Sequence, residues 1–144
     1  MAALWKPVFS QLEKTYTIGS ASLDASLVLD ENNTDWGLVE FVPKNGNSGQ
    51  TWFFHPTDFS YTEFSIQNDL GYYIICGEDA RSPCGTGATP QIYTAEATGD
   101  AKFHLVTKGS GYFLRVNENR KVELSELAEG DQTPNEEFTV TPLT

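Results

Sequence analysis

Apolar residues recur along the chain in short runs, most of them alternating with polar positions, and Gly, Asn, Asp, Ser and Pro separate the runs. Alternation sends successive side chains to opposite faces, which is the period of a β-strand, and the separators are residues that turns favour. No long stretch carries an apolar stripe at helical spacing. The best candidate, Leu124 to Ala128, is too short to stand as a helix. The pattern predicts an all-β protein.

One signal appears three times. An aromatic–polar–aliphatic triplet is found at Tyr16-Thr17-Ile18, at Phe64-Ser65-Ile66 and at Phe103-His104-Leu105. A second run follows each triplet, at Leu27-Val28-Leu29, Ile74-Ile75-Cys76 and Leu114-Arg115-Val116. Each second run enters a polar turn with glutamate at its centre: Asp30-Glu31-Asn32, Gly77-Glu78-Asp79 and Asn117-Glu118-Asn119. Third runs come next, at Leu38 to Val42, Gln91 to Ala95 and Val122 to Leu127. A fourth is plain at Thr51 to His55 and at Glu137 to Thr141, but no separate fourth run stands out in the middle unit. Three units of about four strands predict a β-trefoil, with pseudo-repeats at approximately 13–60, 61–99 and 100–144. Six strands then close a barrel and three hairpins cap it, so each unit's apolar face is covered only by its neighbours. The expected core layers are Tyr16/Ile18, Phe64/Ile66 and Phe103/Leu105.

Composition adds limits. The 144 residues suit one domain, and a content of 39% hydrophobic and 12% aromatic residues supports a packed core rather than a disordered chain. The formal net charge is −11, from 20 acidic and 9 basic side chains, a field that repels duplex nucleic acid and anionic membrane surfaces. The apolar runs are too short for membrane insertion. Met1 to Phe9 lacks a basic start followed by a long apolar run, so the expected location is the cytoplasm, or outside the cell by an unconventional route. Cys76 and Cys84 could close a small loop in an oxidising compartment and would be reduced packing residues in the cytosol. His55 and His104 are far apart, and neither a metal site nor a cofactor is expected.

The segment Asn47-Ser48-Gly49-Gln50-Thr51-Trp52 resembles the Gln-x-Trp signature of ricin-B-type trefoil lectins, in which the tryptophan packs in the core. The whole layout is similar to small fungal trefoil lectins. Only one Gln-x-Trp is intact: the second unit has Asp100-Ala101-Lys102-Phe103 in its place and the third has Asn135-Glu136-Glu137-Phe138. The resemblance implies reversible, metal-free binding of glycans or glycoproteins. Sugar recognition needs carboxylates or amides for the hydroxyl groups and an aromatic ring under the C–H face. The turns after the second runs offer Asp30 and Asn32, Asp79, and Asn117 and Asn119, with Trp36 and Tyr93 as nearby rings. The third unit has no ring after its turn. Oligomerisation would add avidity, although the sequence carries no interface signature.

Trefoils also serve as protease inhibitors that act through a loop. The alternative reading places a protease as partner, with Arg81 presented by the loop 76–84. A catalytic reading is weaker, since no nucleophile and histidine can be matched. Turn residues such as Asp30 and Asn117 also have a purely local explanation, because Asp and Asn bond their own backbone in tight turns.

Overall fold

Each aromatic–polar–aliphatic triplet forms the first strand of a four-strand unit. The computed structural model describes residues 15–31, 38–57, 63–99, 102–126 and 134–143. The first unit holds β1 (Tyr16–Ser20), β2 (Leu27–Glu31), β3 (Val39–Pro43) and β4 (Trp52–Pro56). The second holds β5 (Glu63–Asn68), β6 (Tyr73–Cys76), β7 (Cys84–Gly87) and β8 (Tyr93–Gly99). The third holds β9 (Lys102–Thr107), β10 (Phe113–Val116), β11 (Val122–Ser125) and β12 (Phe138–Pro142).

The first and fourth strands of the units pair in a closed antiparallel ring, β1–β4–β5–β8–β9–β12 and back to β1. Closure leaves the ring without an open edge. The remaining strands form the hairpins β2–β3, β6–β7 and β10–β11. Single bridges tie the hairpins head to tail: Leu38 to Gly85, Pro83 to Glu123, and Lys121 to Glu40. These bridges are the same contact made three times, so positions 38, 83 and 121 are equivalent. The molecule is a β-trefoil.

The predicted core pairs lie where alternation put them. Tyr16, Ile18, Phe64, Ile66, Phe103 and Leu105 are all buried. Opposite the first aromatic of each unit stands a second aromatic from the fourth strand: Tyr16 pairs with Trp52, Phe64 with Tyr93, and Phe103 with Phe138. Each large side chain buried in this way contributes roughly 1.5–3 kcal/mol.

This register corrects several sequence expectations. In the middle unit, the run Gln91 to Ala95 begins the fourth strand rather than the third. The third strand is Cys84–Gly87. It escaped notice because Cys-Gly-Thr-Gly carries no alternating apolar signal. It is held instead by its ladder to β6 and by a disulfide between Cys76 and Cys84, which face each other across the pair. The second-run register also shifts: Leu29, not Leu27, is equivalent to Ile74 and Leu114, as the ladder partners Phe41, Thr86 and Leu124 establish.

The counterpart of Gln50-Thr51-Trp52 in the second unit is Gln91-Ile92-Tyr93, not the segment ending at Phe103. Trp52 Nε1 donates to the Leu29 carbonyl at 3.1 Å, and Tyr93 Oη donates to the equivalent Ile74 carbonyl at 2.8 Å. Two different aromatic residues thus satisfy one backbone acceptor in the same place. The expectation that Tyr93 offers its ring to a ligand fails, because the side chain is fully buried.

Burial lifts the Tyr93 hydroxyl well above the ordinary phenol range. Below about pH 10 the folded and unfolded chains both keep this phenol protonated, and its stabilising bonds are fully present. Above that pH the unfolded chain ionises first, so stability falls as pH rises. Tyr93→Phe is expected to cost about 1–2 kcal/mol at pH 7, from the unmet Ile74 carbonyl. It should also make the loss of stability between pH 10 and 11 shallower. Guanidinium denaturation at pH 7 and through pH 9–11 checks both effects.

Candidate functional site

Two clefts sit at equivalent places in the trefoil. The first, of about 520 Å³, lies between the third unit and the first. Its floor is the β10–β11 turn, Asn117 to Arg120. One wall is Asn135, and the other is the β1–β2 loop at Ser22 and Leu23. The second, of about 420 Å³, lies between the second unit and the third. It is built from Gly77 and Glu78 of the β6–β7 turn, from Gln91, and from Gly109 and Ser110 of the β9–β10 loop. The recipe is common to both: a hairpin turn, the segment leading into the fourth strand, and the first loop of the next unit. By the same symmetry, the third such place borders the β5–β6 turn, where Leu70 and Tyr72 are exposed. The predicted Asn32 and Trp36 lie outside the described residues.

The predicted polar residues divide into framework and free groups. Asn117 is framework. Its Oδ1 accepts the backbone N–H of Asn119 at 2.9 Å and of Lys121 at 3.1 Å, and its Nδ2 donates to Glu123 Oε1 at 3.1 Å. Those bonds shape the turn and commit both amide atoms of Asn117 to it. Asn119 is exposed on the same turn, lines the cleft, and has no side-chain hydrogen bond among the described residues. Asp30 is also framework, since its Oδ2 accepts Gln50 Nε2 at 3.1 Å. Asp79 is exposed but stands outside the lining of the second cleft.

The first cleft contains residues that sequence reasoning did not assign to it. Arg115 and Glu123 face each other across β10 and β11, with Arg115 Nε 3.8 Å from Glu123 Oε2. Arg81 enters from the neighbouring hairpin, where its backbone N–H donates to the Leu124 carbonyl at 2.7 Å. Next to Leu23, the Ser26 backbone N–H bonds Asp24 at 2.8 Å and holds that exposed carboxyl below its usual range, so it stays ionised. No aromatic ring lines this cleft among the described residues; Leu23 and Val116 are its apolar surface.

The inhibitor expectation for Arg81 meets a geometric obstacle. A protease reads an extended segment, as if adding a strand. Arg81 has a φ of 71°, in the left-handed region, and its turn is pinned to β11 on both sides by the Arg81 bond and by Leu124 N–H to the Ser82 carbonyl. The disulfide closes the base of the loop, but the loop packs on the third hairpin rather than projecting from it.

The histidines have structural uses. His104 is buried and its Nδ1 bonds the Glu136 carbonyl at 2.8 Å, while His55 Nε2 bonds Gln67 at 2.8 Å. Among the described residues no cluster of three or more His, Cys, Asp or Glu is placed to hold a metal ion.

No family model and no curated protein sequence matches the chain. Solved structures match it across nearly its whole length. A designed protein of three-fold symmetry, ThreeFoil, superimposes with a TM-score of 0.75 at 15% identity, over 90% of this chain and 99% of its own. The agglutinin of Rhizoctonia solani gives 0.74 at 18% identity, over 90% and 94%. The ricin B-like lectin of Macrolepiota procera, solved in complex with lactose, gives 0.71 at 16% identity, over 89% and 94%. The shared property at this identity is the trefoil fold.

Proposed function

We propose that the protein is a carbohydrate-binding lectin that holds glycans reversibly in shallow clefts between neighbouring units. The observation that carries the reading is that one cleft recipe recurs at two symmetry-related places, each walled by turns that need not be hollow for the fold to close. Its support from known proteins is that trefoils of matching size and fold include an agglutinin and a lectin solved with lactose. In the first cleft Asn119 and Asn135 supply free amides for hydroxyl groups, and Asn117 fixes the turn that presents them. Near Leu70 and Tyr72 the third place has an exposed ring, which suits the C–H face of a sugar. Affinity at a single cleft is modest, since few groups converge and water competes for each hydroxyl.

The test is a labelled-protein screen on a broad glycan array without added metal, followed by titration of the best glycan. Asn119→Ala combined with Asn135→Ala is expected to weaken binding roughly tenfold at unchanged melting temperature, from two lost hydrogen bonds of about 0.5–1.5 kcal/mol each. A folded protein that binds no glycan would end the proposal.

A further inference from the structure

The chain contains three arginines, and all three, Arg81, Arg115 and Arg120, line the first cleft. They come from two hairpins and have no reason in sequence to meet. Of the described lysines, Lys44, Lys102, Lys108 and Lys121, none lines it. In a molecule of net charge −11, the guanidinium groups are therefore gathered at one spot.

We infer that this cleft takes an acidic saccharide, one whose carboxylate or sulfate group is received by Arg81, Arg115 and Arg120. The inference rests on the glycan-binding reading and names its ligand class. Three observations carry it. First, the guanidinium charge is incompletely used. Arg115 Nε is shielded from solvent without a hydrogen-bond partner, and its ion pair with Glu123, at 3.8 Å, is too long for a hydrogen bond. Arg81 and Arg120 form no ion pair among the described residues, although Glu118 and Glu123 also line the cleft and offset part of the charge. Second, Arg81 and Arg120 are the only non-glycine residues among those described with positive φ, at 71° and 63°. Gly or Asn holds such a turn more easily, yet both positions carry the residue whose planar fork matches a carboxylate or sulfate. Third, the cleft has no ring among the described residues, so its affinity must come from polar and ionic contacts rather than stacking.

The experiment compares matched pairs of glycans: lactose with sialyllactose for a carboxylate, and galactose with its 6-sulfate for a sulfate. Titrations are run at low and high salt. The acidic member of at least one pair is expected to bind about tenfold more tightly or better at low salt, with the advantage shrinking toward parity near 0.5 M salt. The pair that shows the advantage identifies the group. The double variant Arg81→Asn, Arg120→Asn keeps residues that tolerate left-handed backbone. It should bring the acidic member of the pair to parity with its neutral parent, with an unchanged melt. Equal or better binding of the neutral members overturns the inference and leaves glycan binding standing. A preference that survives the double variant also overturns it. Silence toward every glycan overturns the lectin reading itself.

Discussion

Replacing Trp52 by alanine is expected to leave the protein only marginally folded. Trp52 is fully buried in the core, faces Tyr16 across the β1–β4 contact, and satisfies the Leu29 carbonyl through its indole N–H. Truncating a buried tryptophan costs about 3–5 kcal/mol through lost transfer energy and the cavity left behind. An unmet buried carbonyl adds to that. Domains of this size are stable by only about 5–15 kcal/mol, so one substitution removes a large share. The other units indicate what could be tolerated, since Tyr93 and Phe138 occupy the same position. Trp52→Tyr, which keeps a donor, is therefore expected to lose far less than Trp52→Ala. Guanidinium midpoints of the two variants check the ranking.

Gln50→Glu is the second change with a large expected effect, and its sign depends on pH. Gln50 is buried, and Oε1 accepts the backbone N–H groups of Asn45 at 2.9 Å and Gly46 at 3.3 Å. Nε2 donates to the Pro43 carbonyl at 3.0 Å and to Asp30 Oδ2 at 3.1 Å. A Cβ at Gly49 would come within 2.7 Å of Asp30 Oδ1, so a larger residue there would push aside the carboxylate that Gln50 holds. A carboxylate at position 50 cannot donate, and it would oppose Asp30 at close range. The introduced carboxyl therefore has its folded pKa raised above the unfolded value of about 4.3. Below that value the variant keeps most of its stability relative to the parent. The loss grows as pH rises and reaches about 1–3 kcal/mol at pH 7, where the half-buried Asp30 carboxylate and the Pro43 carbonyl lose their donor and two charges meet. The third unit already has Glu136 at this position, but there Ser125 Oγ donates to its Oε2 at 2.6 Å in place of an opposing acid. Stability of parent and variant at pH 4 and pH 7 measures the difference.

Much of the fold could be read from the chain because the ring strands alternate. Tyr16/Ile18, Phe64/Ile66 and Phe103/Leu105 announce their faces by period two, and Trp52 announces the end of its unit. Cys84–Gly87 could not be read, because a strand held by backbone pairing and a disulfide needs no apolar pattern. Tyr93 was misplaced for a related reason: once the third strand of its unit was missed, its neighbours no longer told which way it faced. The Gln91-Ile92-Tyr93 equivalence follows only from the shared hydrogen bond to the second strand.

The site was less accessible still. Turn chemistry points to Asn117 and Asn119 as candidates, but which of them is free for a ligand depends on which amide the turn itself engages. Arg81 and Arg120 sit in turns whose left-handed backbone gives no sign in their identity. Their meeting depends on bridges such as Pro83 to Glu123, which join segments of two different units. A cleft made between repeats has no local sequence signature. A single paired signal was available, namely that a strongly acidic chain places its only three arginines in two hairpin segments.

The central claim is that the cleft between the third and first units is a glycan site. The most direct test follows backbone amide signals by NMR during titration with the best array glycan. The account predicts shifts concentrated at Ser22 and Leu23, along Asn117 to Arg120, and at Asn135, with Arg81 included for an acidic ligand. Saturable binding that leaves these signals unmoved and shifts only residues elsewhere would contradict it.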